Sequence, residues 1–142
     1  MYKFLEETAA TYMTGTVKAV TGDITMRTLQ KKFEDDDFNA YPVLDGRRMI
    51  GLVTKFDFLK CFAFSPMSMV PRYDDLMERT VAEIMKPEFI YVDSSTKLPR
   101  VLQLMVTQRI RSIPVMDGHK LSGMISREDI MRALASGACE NL

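Results

Sequence analysis

AYPVLDGRRMIGLVTKFDFLK, residues 40–60, and SIPVMDGHKLSGMISREDIMR, residues 112–132, are two copies of one pattern set 72 positions apart. Each copy carries a Pro-Val pair in a short apolar run, then Asp-Gly, then a second apolar run that passes through a glycine. A hydroxyl residue follows, three positions ahead of an aspartate. The Asp45-Gly46 and Asp117-Gly118 pairs are hairpin signals, because glycine accepts positive φ. Each copy therefore reads as a short strand, a tight turn and a return strand over Met49–Thr54 or Leu121–Ser126. A helix is expected to start near residue 55 or 127.

The match extends outward in the same register. YMTGTVKAVTGDITMRTLQKKF, residues 12–33, lies over IMKPEFIYVDSSTKLPRVLQLM, residues 84–105, without a gap. Between 8–62 and 80–134 ten positions are identical, and they gather at turns and junctions, where the backbone is most demanding. A gapless register through such points indicates a duplicated folded unit. The chain is thus divided into repeat 1 (1–62), a connector (63–79) and repeat 2 (80–142).

The rest of each unit follows from local signals. Thr80-Val81-Ala82-Glu83 has the spacing of a capping box, so a short helix opens the repeat. An extended segment comes next, Val17–Val20 or Phe89–Val92. Asp23, or the run Ser94 to Thr96, is expected to cap a longer helix. Met26, Leu29 and Phe33 recur at helical spacing there, as do Leu98, Val101, Leu102 and Met105. The fold class is α/β, with two β-α-β-β-α repeats. A sheet of two or three strands cannot bury its face alone, so the two repeats are expected to pack sheet to sheet.

Composition narrows the function. Hydrophobic residues make up 46% of the chain, enough for a core, and 19 basic residues balance 19 acidic ones. That balance offers no basic stripe for nucleic acid. The N-terminus carries acids early and has no long apolar run, which argues against a signal peptide. No apolar run approaches the roughly 18 residues of a membrane span. Cys61 and Cys139 suit a reducing cytosol and form no metal framework, so the expected location is cytoplasmic. The single histidine, His119, falls in a turn and has no second histidine to complete a metal site. No catalytic triad can be built away from His119 and no glycine-rich loop is present, so an enzyme is not expected. The twelve methionines read as core filler. In the connector, Met67, Met69, Phe64 and Tyr73 are candidates to cover the core or a partner.

Thr54-x-x-Asp57 and Ser126-x-x-Asp129 are the candidate chemistry. Each puts a hydroxyl at the mouth of a helix N-terminus, where backbone N–H groups and the helix dipole favour anions such as phosphate. A carboxylate one turn in can accept hydrogen bonds from both hydroxyls of a ribose. The same spacing is also a helix cap that requires no ligand. Both readings stand at this level.

These strings resemble the second half of a CBS domain, whose pattern is apolar-Pro-Val-apolar-Asp, then Gly-apolar-apolar-Ser/Thr-x-x-Asp-apolar. The likeness covers about residues 5–62 and 77–135. It implies paired domains related by a pseudo-two-fold axis, with adenosyl ligands held in clefts between them. By position, Asp57 or Asp129 would hold ribose and Thr54 or Ser126 would reach phosphate. Tyr41 or Ile113, and the early strand around Ala19 or Tyr91, would flank the base. Arg111 would face phosphate, with Arg127 beside it. The first copy departs from this pattern, with Asn39 where the second has Arg111 and with Asp35-Asp36-Asp37 just upstream. Residues 35–60 hold four basic and five acidic residues, whereas 107–132 hold five and three. Phosphate is therefore expected to favour the second copy.

The resemblance further implies a regulatory module that binds AMP, ADP or ATP, with S-adenosylmethionine or NAD as other candidates. It implies a homodimer formed through flanking helices and output through another protein. The alternative from a different class is a ligand-free interaction module, in which both hydroxyl–carboxylate pairs only cap helices.

Overall fold

The computed structural model describes residues 2–64 and 72–140. In chain order its elements are α1 (Tyr2–Glu6), α2 (Ala9–Tyr12), β1 (Val20–Thr21), α3 (Met26–Asp36), β2 (Ala40–Asp45), β3 (Arg48–Thr54) and α4 (Lys55–Lys60). The second half adds α5 (Tyr73–Met77), α6 (Val81–Ile84), β4 (Val92–Asp93), α7 (Leu98–Gln108), β5 (Ser112–Asp117), β6 (Lys120–Ser126) and α8 (Arg127–Glu140). The mixed α/β class expected from the sequence is the one observed.

Two compact units form, and they do not divide the chain at the repeat boundary. One spans Lys18–Phe89; the other joins the segment up to Val17 with the segment from Ile90 onward. The cause is an exchange of opening helices. In the Lys18–Phe89 unit, α6 of the second repeat docks on the first, with Ala82 N–H donating to Gly22 O and Val81 N–H to Ile24 O, both at 2.9 Å. In the other unit the counterparts 72 positions earlier do the same, with Ala10 N–H donating to Ser94 O at 3.1 Å and Ala9 N–H to Thr96 O at 2.9 Å. Both copies carry the same docking pattern, so the sequence alone does not say which partner each helix takes.

Within each unit a short strand runs parallel to the first strand of a hairpin. Val20 pairs with Val43, and Val92 with Val115. The hairpins pair Ala40 with Thr54 and Ser112 with Ser126 at their open ends. At the closed ends Gly46 and Gly118 lie at φ +63° and +64°, the handedness that two-residue hairpin loops require. Leu29, Phe33, Tyr41, Val43, Val53 and Val81 fill one core, and Val101, Met105, Ile113, Val115, Ile125 and Ile130 fill the other. Buried Met26, Met49, Met77, Met105 and Met116 act as apolar filler.

Several local expectations need correction. Thr25, not Asp23, caps α3, its hydroxyl accepting from Thr28 N–H at 3.2 Å. Asp23 instead accepts from the Thr21 hydroxyl. Lys97 is the N-cap of α7 and makes no side-chain cap, while Ser95 and Thr96 bond to Asp93. Thr80 is the N-cap of α6, but its hydroxyl donates to Glu83 and does not accept from the helix backbone. The connector contains α5, whose Leu76 and Met77 are buried. Phe64 and Tyr73 are exposed, and Met67 and Met69 lie outside the described residues.

Candidate functional site

The two hydroxyl–carboxylate pairs fold the same way. Thr54 ends β3 in extended backbone and caps α4. Its Oγ1 accepts from Asp57 N–H at 3.1 Å, while Asp57 Oδ2 accepts from Thr54 N–H and from its hydroxyl, both at 2.9 Å. In the second copy Asp129 Oδ2 accepts from Ser126 N–H at 2.8 Å and from its hydroxyl at 3.0 Å, and Ser126 Oγ accepts from Asp129 N–H at 3.3 Å. Both are closed capping boxes, so each hydroxyl proton is already directed at its own carboxylate.

Asp57 and Asp129 are the two charged residues among the described buried polar groups, 1% and 5% exposed. A buried carboxylate is costly unless its charge is met and its oxygens are hydrogen-bonded. The copies solve this differently. Asp129 Oδ1 accepts from Arg132 Nη2 at 2.5 Å, and the same nitrogen donates to Tyr12 O at 3.3 Å. Asp57 Oδ1 faces Lys60 Nζ at 3.5 Å and Lys86 Nζ at 3.6 Å. It accepts no hydrogen bond, alone in this among the described buried side-chain atoms. Both ammonium groups also stand over the exposed ring of Phe56, at 5.6 and 6.0 Å from its centroid.

Lys86 reaches Asp57 because its backbone is bonded to β3 in both directions, Lys86 N–H to Leu52 O at 2.8 Å and Leu52 N–H to Lys86 O at 2.9 Å. Gly51 permits that approach, since a Cβ there would lie 2.9 Å from Lys86 O. The sequence reading did not single out Lys60, Lys86 or Arg132. Their i+3 spacing from the aspartates was a signal for Lys60 and Arg132. No sequence signal pointed to Lys86, which depends on the exchanged helix.

The remaining expected site residues separate into two groups. Arg111 and Arg127 are exposed and meet at the open end of the β5–β6 hairpin, where Arg127 N–H donates to Arg111 O at 3.1 Å. Lys55 and Asn39 make the equivalent bond at 2.9 Å. Tyr91 is 58% exposed and Ala19 is half-buried, each next to its unit's short parallel strand. By contrast, the Tyr41 ring and the Ile113 side chain sit in the cores. The Tyr41 hydroxyl lies 2.6 Å from Asp36 Oδ2 and 2.8 Å from Lys32 O. Burial, and then that carboxylate, push its pKa above the ordinary tyrosine value.

One acid of the Asp35-Asp36-Asp37 run is thereby engaged. Asp36 also accepts from Lys18 Nζ at 2.8 Å. The Lys18 hydrogen bond and then the Tyr41 hydroxyl hold its carboxyl below the ordinary value. A carboxyl with a lowered folded-state pKa stabilises the fold above its unfolded value, about pH 3.9. That contribution is lost as pH falls through the folded value. Asp36→Asn should therefore show a shallower acid-induced fall in melting temperature below about pH 4 than the parent chain. Superimposable melting-temperature–pH curves would contradict this.

Among the described residues no cluster of His, Cys, Asp or Glu could hold a metal ion, and no helix is long and apolar enough to cross a membrane.

Comparison with known proteins agrees with this architecture. The family model of the CBS domain matches residues 9–63 and 81–136. The uncharacterised protein MJ1225 of Methanocaldococcus jannaschii is 26% identical over 129 residues, 87% of this chain and 46% of that protein. The chain thus spans about half the length of that relative. The MJ1225 crystal structure superposes with a TM-score of 0.84 at 24% identity, covering 91% of this chain and 48% of the other. The structure of CBSX2 in complex with AMP gives 0.77 at 21% identity, covering 91% and 96%. The CBS domain pair of protein MJ0100, in complex with 5′-methylthioadenosine and S-adenosyl-L-methionine, gives 0.73 at 20% identity, covering 90% and 99%. At these identities the superpositions speak to the fold.

Proposed function

Because this chain belongs to the CBS domain family, we propose that it is a non-catalytic regulatory module that binds an adenosyl ligand and changes conformation or association in response. The observation that carries the reading is Asp57 Oδ1, a buried carboxylate oxygen with no hydrogen-bond donor. A ribose hydroxyl is a donor of the right kind, and Lys60 and Lys86 stand nearby to meet an anionic tail. Asp129 is the homologous anchor in the second repeat. Thr54 and Ser126 orient the two carboxylates, and Arg111 and Arg127 receive phosphate at the second copy. Ala19 and Tyr91 flank the base. Tyr41 and Ile113 contribute through their backbones, since their side chains are buried. The AMP, S-adenosyl-L-methionine and 5′-methylthioadenosine bound by CBSX2 and MJ0100 support this ligand class.

The output is a population shift, in which the ligand favours whichever state it binds more tightly. A homodimer in the cytoplasm, acting on a separate effector protein, completes the reading. A ligand-free interaction module is the second reading. It is favoured by the closed capping boxes, which give both hydroxyls and both aspartates a structural role without any ligand.

A thermal-shift panel of AMP, ADP, ATP, S-adenosylmethionine, NAD and Mg²⁺ separates the two. A ligand that binds only the folded state adds about 2.7 kcal/mol at one hundred times its Kd. At least one adenosyl ligand should raise the melting temperature by several degrees, and Mg²⁺ alone should not. A flat response to every adenosyl compound at millimolar concentration would favour the interaction module.

A further inference from the structure

The two aspartates spend Oδ2 in the same way, on the N-cap N–H and hydroxyl. Only Oδ1 is left to meet a ligand, and there the repeats diverge. Register pairs Lys60 with Arg132, and Lys86 with Thr14. We propose that the two carboxylates are unequal ribose anchors: Asp57 accepts the ligand, while Arg132 occupies Asp129 as an internal competitor. This rests on the adenosyl-ligand reading and assigns its order of loading, first repeat before second.

A single nitrogen of Arg132, Nη2, donates both to Asp129 Oδ1 and to the Tyr12 carbonyl. The Arg132 hydrogen bond takes one of the two acceptor positions of Asp129 Oδ1, so a ribose hydroxyl arriving there must share that oxygen with a charged donor or displace it. At Asp57 the balance is reversed. Two ammonium groups compensate the charge from 3.5 and 3.6 Å, but neither fills the acceptor. Lysine is a point charge on a flexible stem, whereas the arginine fork is pre-organised for carboxylate. Arg132, Lys60 and Lys86 are all about half exposed or more, at 63%, 52% and 48%, so what separates the copies is the hydrogen bond that Arg132 makes and the two lysines do not. The Asp57 side chain is itself fully covered, so a hydroxyl reaches Oδ1 only as the two lysines swing outward across the Phe56 ring, where they still neutralise an incoming phosphate. The arriving hydroxyl then supplies the donor that Asp57 Oδ1 lacks. Net charge alone ranks the second repeat first; the free acceptor ranks the first repeat first.

Isothermal titration of the full chain with AMP tests this. The parent chain should bind one AMP per chain. Asp57→Asn should weaken that event by roughly ten-fold or more, the scale of one charge-assisted hydrogen bond. Arg132→Met should open a second site and raise the stoichiometry to two, and the double variant Arg132→Met/Asp129→Asn should return it to one. Two equivalent sites in the parent chain would overturn the proposal. So would full AMP affinity in Asp57→Asn, or one unchanged site in a folded Arg132→Met. If Arg132→Met does not fold, the parent stoichiometry and Asp57→Asn still decide. If no adenosyl compound binds the parent chain, the functional reading falls and this inference with it. Binding that ignores Asp57 overturns the inference alone.

Discussion

Tyr41→Ala should destabilise the ligand-free chain by about 3–5 kcal/mol, the range for truncating a buried aromatic ring. The ring is 1% exposed and packs on Phe33 and Phe38, with centroids 5.0 and 5.6 Å away. Tyr41→Phe isolates the hydroxyl. It removes the donor that faces Asp36 and the Lys32 carbonyl, and should lower the midpoint much less than Tyr41→Ala, because one hydrogen bond is lost and the buried ring stays. Ile113→Val at the equivalent position of the second repeat should cost only about 0.5–1.5 kcal/mol. Urea denaturation of the four proteins gives the comparison. The resemblance assigned Tyr41 to the wall of a base-binding site. A ring in that role would be dispensable without ligand, so an unchanged denaturation midpoint in Tyr41→Ala would return it there.

That residue illustrates what could be read from the chain and what could not. The hairpins were legible because Asp45-Gly46 and Asp117-Gly118 force a turn of one hand, and a shift of 72 repeats the demand. Helix ends were less legible. Thr25 and Asp23 are both good caps by type, and only the backbone decides which hydroxyl reaches Thr28 N–H. The C-caps of α3 and α7 are Asp37 and Arg109 in the left-handed region, at φ 53° and 54°. Glycine would have announced such positions, whereas an arginine gives no warning.

The candidate site divides along the same line. Thr54/Asp57 and Ser126/Asp129 are local in sequence, so their geometry follows from spacing. The third partner of each aspartate is not fully local. Arg132 and Lys60 stand one turn away, and the difference between a guanidinium that donates and an ammonium that only neutralises lies in side-chain reach. Lys86 and Tyr12 arrive on exchanged segments, and a duplicated pattern leaves the choice of partner open. The place of the Tyr41 ring was not legible for a related reason. The residue before the proline alternates onto one face of the strand, and whether that face meets core or ligand depends on what α3 places against it.

The exchanged segments also give the second large stability effect. Gly123→Ala should cost about 1–3 kcal/mol, the usual range for inserting a carbon into a closed contact. The new Cβ would lie 2.7 Å from both Thr14 O and Met13 Sδ. A thioether can rotate away, but the carbonyl oxygen is held, because it accepts from Met124 N–H at 3.1 Å. Relief therefore requires the segment after α2 to separate from β6. Gly51→Ala meets the same obstacle more mildly, with Lys86 O at 2.9 Å and Met85 Sδ at 2.5 Å. Its effect on stability should be smaller. It should also move Lys86 away from Asp57, leaving Lys60 as the one ammonium beside Oδ1. Gly15→Ala is the control, since nothing lies within 4 Å of its Cβ, and restricting the unfolded chain should leave it neutral or slightly stabilised. Denaturation midpoints should fall in the order Gly15→Ala, Gly51→Ala, Gly123→Ala. A Gly123→Ala chain as stable as Gly15→Ala would mean that the α2 segment does not lie against β6 as described, and the exchange of opening helices would lose its main support.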